Sequence, residues 1–126
     1  MTEKNTIAKL SEDDLRQFAG GTAYYYGHRL FRNIVFTDGA KYVADEGGAY
    51  WLLAEIAFAQ RSEKRLARQP FQVWKLTVNP DKTGVITVED GNYNVLLTKA
   101  LDYTDFPAPE ITLWFSNNVI YLREEH

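Results

Sequence analysis

The chain has 126 residues, 45% hydrophobic and 14% aromatic, which is the length of one domain with ample material for a core. A net charge of −3, from 14 Lys and Arg against 17 Asp and Glu, argues against avid binding to a long nucleic-acid backbone. The absence of cysteine removes disulfides, thiol catalysis and thiolate metal sites.

No metal or cofactor is expected. Met1 to Lys9 lacks the apolar centre of a leader, and no run approaches the roughly 20 apolar residues of a membrane span, so the expectation is a soluble, cytoplasmic protein.

Ser11, Glu12, Asp13, Asp14 and Leu15 read as a helix start, with a hydroxyl to cap free amides and acids in the positive first turn. Gly20 and Gly21 end this short helix, roughly 12–19, and Leu15 and Phe18 give it a narrow apolar stripe. From Leu30 to Ala44 apolar and polar residues alternate around Thr37, Asp38, Gly39 and Ala40, which predicts a first hairpin turning at Asp38-Gly39.

Gly47 and Gly48 punctuate next, and residues 49–68 read as the long helix. Its first part, from Tyr50 to Ala59, is apolar almost all round, which argues for burial against more than one neighbour. Its second part carries Arg61, Lys64, Arg65 and Arg68, either as a solvated basic end that suits the helix terminus or as a phosphate-contacting patch.

After Pro70 the pattern changes to strands: 71–78, 85–89, 95–103, and a hairpin over 111–123. A turn at Asn117-Asn118 would set Trp114 opposite Tyr121 on one face, and Leu113, Phe115, Ile120 and Leu122 on the other. The expected fold is α+β, one domain over residues 1–126: an antiparallel sheet of about seven strands packed by one long and one short helix.

The segment Tyr24, Tyr25, Tyr26, Gly27, His28, Arg29, Leu30, Phe31, Arg32 sets aromatic faces beside positive charge, as a flat or anionic ligand would require. Three consecutive tyrosines cannot share one face, so the stretch reads both as core and as site. The expected pocket comprises Tyr24, Tyr25, Tyr26, His28, Arg29 and Arg32, with Tyr50 or Trp51 nearby. Glu55, interrupting the apolar helix, is a further candidate as a buried carboxylate; the alternative is that it marks the helix's one solvated strip or pairs structurally with an arginine.

Catalysis has little to work with. His28 and His126 are the only histidines, and His28 lacks a recognisable base or nucleophile spacing. Asp90, Asn92 and Asn94 imitate a calcium loop, yet Val95 and Leu101 stand where it needs glycine and glutamate. Asp102 and Asp105 read as a strand exit before Pro107 rather than a carboxylate pair. No phosphate loop is present.

Several stretches are familiar together: Leu10 to Phe18, Leu30 to Trp51 with its Gly-Gly-Ala-Tyr-Trp-Leu run from Gly47, Val73 to Leu76, Tyr103-Thr104-Asp105-Phe106-Pro107, and Ile120 with Leu122. Over nearly its whole length the chain resembles an uncharacterised family of small bacterial, plasmid and phage proteins, a domain of unknown function. The resemblance implies single-domain boundaries and a mobile-element setting, and brings no reaction, substrate or catalytic residue with it. Members often finish on a Pro-Glu-Tyr-like tail, from which the ending Leu122-Arg123-Glu124-Glu125-His126 departs.

The resulting expectation is a non-enzymatic binding protein that sequesters a small nucleotide-like immune signal, as a phage sponge against host defence. Phage proteins that trap immune nucleotides are similar in size and composition. The alternatives are a protein-binding inhibitor or adaptor of a host defence protein, and an unrecognised hydrolase using His28 or Glu55. Self-association through Trp114 and Tyr121 is also expected, because two helices can hardly cover both faces of such a sheet.

Overall fold

The computed structural model describes residues 10–31 and 33–126. Helix α1 (Glu12–Leu15) is capped by Ser11, whose hydroxyl accepts from the Asp14 amide, and continues as a 3-10 turn, Arg16–Phe18. Strands β1 (Tyr25–Gly27) and β2 (Val35–Thr37) follow, then α2 (Asp38–Gly47), α3 (Tyr50–Ser62) and α4 (Lys64–Ala67). Five strands complete the chain: β3 (Phe71–Val78), β4 (Gly84–Glu89), β5 (Val95–Leu101), β6 (Glu110–Ser116) and β7 (Val119–Leu122), with a last 3-10 turn at Arg123–Glu125.

The seven strands form one sheet in the order β1-β2-β7-β6-β3-β4-β5. All pairs are antiparallel except β2 with β7, so the fold is α+β with a mostly antiparallel, mixed sheet. The last hairpin forms as its sequence predicts. Asn117 and Asn118 both take positive φ, 51° and 62°, which is the two-residue turn geometry that asparagine tolerates. Trp114 then stands opposite Tyr121, and Leu113, Phe115, Ile120 and Leu122 are buried on the other face.

The predicted first hairpin is absent. Thr37 ends β2 and caps a helix instead: its hydroxyl accepts from the Ala40 amide, and Asp38 supplies the acid of the first turn. Asp-Gly serves as a helix start here because Gly39 must be small; a Cβ there would lie 2.7 Å from the Glu125 carboxyl and from Leu122 Cδ1. In place of the two expected helices, the described residues form four. The long one also stops early, at Ser62, where Glu63 turns extended so that Leu66 of α4 can enter the core.

One face of the sheet carries the core. Trp74, Leu76, Ile86, Val88, Leu113 and Ile120 pack with Leu15, Val43, Leu53 and Ile56 from the helices. A single polar side chain of this face, Gln72, is fully buried. It exchanges hydrogen bonds with the Gln60 amide in both directions, donates to the Leu66 carbonyl and accepts from the Trp74 indole, so each of its polar atoms is satisfied. The two most specific stretches of the resemblance meet: a Cβ on Gly47 would stand 2.6 Å from Phe106 of Thr104-Asp105-Phe106-Pro107, so glycine lets that ring close over the end of α2.

Thr37→Ala is expected to destabilise the protein by about 1–2 kcal/mol, as other lost helix caps do. It would also release the Glu125 carboxylate that the Thr37 hydroxyl meets. Chemical denaturation of the two proteins measures this directly.

Candidate functional site

Register divides the tyrosine run between two faces. Tyr25 pairs with Thr37, and Tyr26 with Phe36, so their rings point to opposite sides of the sheet. Tyr25 stands on the face that no described helix covers, and the residue is 63% exposed. On the same face lie Thr37, Val119, Tyr121, Ser116 and Trp114, by the pairing of β2, β7 and β6.

There the chain forms a cleft of about 280 Å³. Tyr25, Thr37, Val119 and Tyr121 line it, with polar groups from Thr22, Ser116 and Asn117, and Glu125 and His126 complete its lining. The Glu125 carboxylate is not free: it accepts from the Thr37 hydroxyl and from the Gly39 and Leu122 amides, which pins the last turn against the start of α2. His126 is held in turn by aromatic contacts, 5.1 Å from Trp114 and 6.5 Å from Tyr121 between ring centres.

Beside the cleft is an aromatic cluster. Phe71 and Tyr121 meet Trp114 edge-on at 5.0 and 6.0 Å, geometries that ring quadrupoles favour. The indole Nε1 of Trp114 is buried without a hydrogen-bond partner, the one such side-chain atom among the described residues. The Tyr121 hydroxyl lies 3.2 Å from Ser116 Oγ.

The other tyrosines belong to a network on the helix side. The Tyr26 hydroxyl donates to Asp38, which also accepts from the Ala23 amide, and Lys41 sits 5.6 Å over the Tyr26 ring while pairing with Asp45. Tyr50 donates to the same Asp45. The Ala23 amide, with the Tyr26 hydroxyl contributing, holds Asp38 below its ordinary range, whereas the bond to Asp38 raises Tyr26. Burial and then Asp14 push Tyr42, on α2, up to about 12. These are ties that hold the Tyr-rich segment to α2.

Among the described residues, Tyr25 is the one member of the expected pocket that lines this cleft. Tyr24 is exposed, contributes to the field at Tyr26, and is not part of the cleft lining. Trp51 is half-buried against the core. Glu55 lies on α3 above β5, at the far end of the sheet, with both oxygens 3.0 Å from Lys99 Nζ, a lysine in place of the expected arginine partner. Arg29 is exposed, and Arg32 lies outside the described residues.

His28 is a turn residue. Its Nδ1 accepts from the Leu30 and Phe31 amides, and burial pushes its pKa below the ordinary 6.5. Neutral His28 is thus the folded form. Its contribution to stability is complete above pH 6.5 and is lost as pH falls from there through the lower folded value. Thermal melts should show wild type losing stability over that acid window, with a shallower loss in His28→Asn.

The remaining sequence candidates have local duties. The Asp90 carboxylate accepts from Asn92 and Asn94 within its own turn. Of the basic helix end, Arg61 stacks 5.0 Å over Phe31, and Arg65 donates to the Leu96 carbonyl. Among the described residues no group of three His, Cys, Asp or Glu is placed to hold a metal ion, and no helix is long and apolar enough to cross a membrane.

Of the residues lining the cleft, the sequence named Tyr25 as a ligand candidate and Tyr121 as an interface residue, but not Thr22, Thr37, Val119, Glu125 or His126. The readable signal for part of this was Thr37 directly before an acid, a helix-start pattern that the alternation around it obscured.

Residues 9–126 match a family of unknown function, DUF6876. The chain belongs to that family. No curated protein and no solved structure matches it.

Proposed function

We propose that this DUF6876 member is a non-enzymatic binding protein whose ligand is a flat ring with hydrogen-bonding edges, taken into the cleft on the open face of the sheet. The observation that carries this reading is the convergence of Tyr25, Tyr121 and His126 with the hydroxyls of Thr22, Thr37 and Ser116 around one cavity of about 280 Å³. Aromatic walls with a few placed polar groups are the usual composition of a small-molecule site, and the volume suits a base or nucleoside. Stacking on the tyrosines would supply affinity, and the polar groups of Ser116, Asn117 and Tyr121 would select the ring's edge.

A sponge for a nucleotide immune signal is the narrower form of this proposal, drawn from the phage and plasmid setting that the resemblance implies. The cleft lining supplies no lysine or arginine and includes Glu125, so it matches a nucleobase better than a phosphate. Arg29, exposed in the turn after β1, is the cation of the Tyr-rich segment available to an extended ligand. A second reading, an inhibitor or adaptor that grips a host protein, is favoured by the extension of the aromatic surface beyond the cleft through Trp114 to Phe71. In either reading Trp114 and Tyr121 serve the bound partner.

Calorimetry with a panel of nucleosides, cyclic nucleotides and ADP-ribose-type compounds tests the proposal. Heat is expected from compounds that share a base, with the phosphate changing affinity little. Absence of heat across the panel would count against the small-ligand reading.

A further inference from the structure

The two ends of the sheet are unequal. Strand β1 has three residues, whereas β5 has seven and is hydrogen-bonded on one side alone, to β4. Among the described residues the one further bond to a β5 backbone group is from Arg65 to the Leu96 carbonyl, where β5 departs from regular register with β4. From Leu97 to Leu101 no described residue bonds to the outer edge. Such an edge is a template for another strand unless charge or irregularity blocks it. Lys99 is the only charged side chain in β5, and Glu55 of the same chain binds its ammonium.

Apolar surface collects at this edge. Tyr93 is 84% exposed, Tyr103 66% and Val95 55%. Exposed Phe58 of α3 stands at the groove between that helix and β5, which Leu97 and Lys99 also line.

We infer that β5 pairs antiparallel with β5 of a second copy, about a two-fold axis through Thr98, to give one sheet across the dimer. The sequence is complementary to itself in that register. Thr98 meets Thr98, a favourable cross-strand pair, and Leu97 meets the aliphatic stem of Lys99 from the second copy. The same axis brings Tyr93 toward Tyr103 of the second copy at each end, and places the second copy against the groove beside Phe58. The neighbouring register, centred on Lys99, would set two lysines face to face and is disfavoured. A second copy is the occupant because an interface with a two-fold axis must complement itself, as this strand does.

This interface is independent of the ligand cleft, which lies at the other end of the sheet. Sedimentation of the full chain over a dilution series, with amide exchange read at β5, tests it. The expected result is a reversible dimer in which amides at the outer edge of Leu97–Leu101 are protected and lose that protection on dilution. The paired change Tyr93→Asp and Tyr103→Asp, at exposed positions that the fold does not need, should weaken the dimer by about tenfold or more. Thr98→Pro should abolish it, and the tyrosine variant keeps the test decisive should the proline unfold the edge. A monomer at the highest soluble concentration overturns the inference. So does a dimer that survives the tyrosine changes with its β5 amides unprotected, or one that is lost instead on replacing Trp114.

Discussion

Replacing Gln72 by alanine is expected to destabilise the protein by about 3–5 kcal/mol, because a buried hydrogen-bonding centre and its volume disappear together. Gln72 is wholly buried in β3 and serves Gln60, Leu66 and Trp74 at once. Without it the Trp74 indole loses its acceptor and faces a void, which costs roughly 1–3 kcal/mol in an apolar setting, while the Leu66 carbonyl still accepts from the Gln69 amide. Urea denaturation at neutral pH measures the loss. Gln60→Ala should cost less, since Gln60 is half-buried and water can reach its place. A Gln72→Ala loss below about 1 kcal/mol would mean that the surroundings collapse or hydrate with ease.

The second large effect is on binding. Tyr25→Ala with Tyr121→Ala should weaken the ligand roughly a hundredfold or more, since stacking a base on an aromatic ring is worth ~1–3 kcal/mol per ring. Tyr25 is exposed and its ring is outside the core cluster, so its truncation should leave the fold intact. Tyr24→Ala is the discriminating control. Tyr24 adjoins Tyr25 in sequence but does not line the cleft, so unchanged affinity is expected for that variant. Equal losses from Tyr24 and Tyr25 would restore the single tyrosine pocket that the sequence suggests. Calorimetry on the three proteins separates these outcomes.

Legibility followed the range of the signals. The hairpin from Ile111 to Arg123 was readable because Asn-Asn turn chemistry and period-two alternation agree, and the face assignment of Trp114 and Tyr121 followed from them. The stretch from Val35 to Gly47 was misread because Asp-Gly signals a hairpin when alternation surrounds it, and a helix start when a cap precedes it. What decided was tertiary: Thr37, Gly39 and Glu125 lock together from distant parts of the chain. The same contact made the tail invisible as a site, since nothing local in Arg123 to His126 announces that it packs on Trp114. The tyrosine run was legible as split between faces, but not as to which ring took which. That followed from the register of Tyr25 with Thr37.

The account's central claim is that the open-face cleft holds a small ligand. Native mass spectrometry of the full chain purified under mild conditions from defence-active cells tests it most directly, with wild type beside the Tyr25→Ala, Tyr121→Ala variant. The account predicts a small-molecule adduct on wild type, with a fragment mass that includes a nucleobase, and its loss from the variant. An adduct that persists unchanged on the variant, or a wild type that carries nothing and gains nothing from the nucleoside and nucleotide panel, would contradict it.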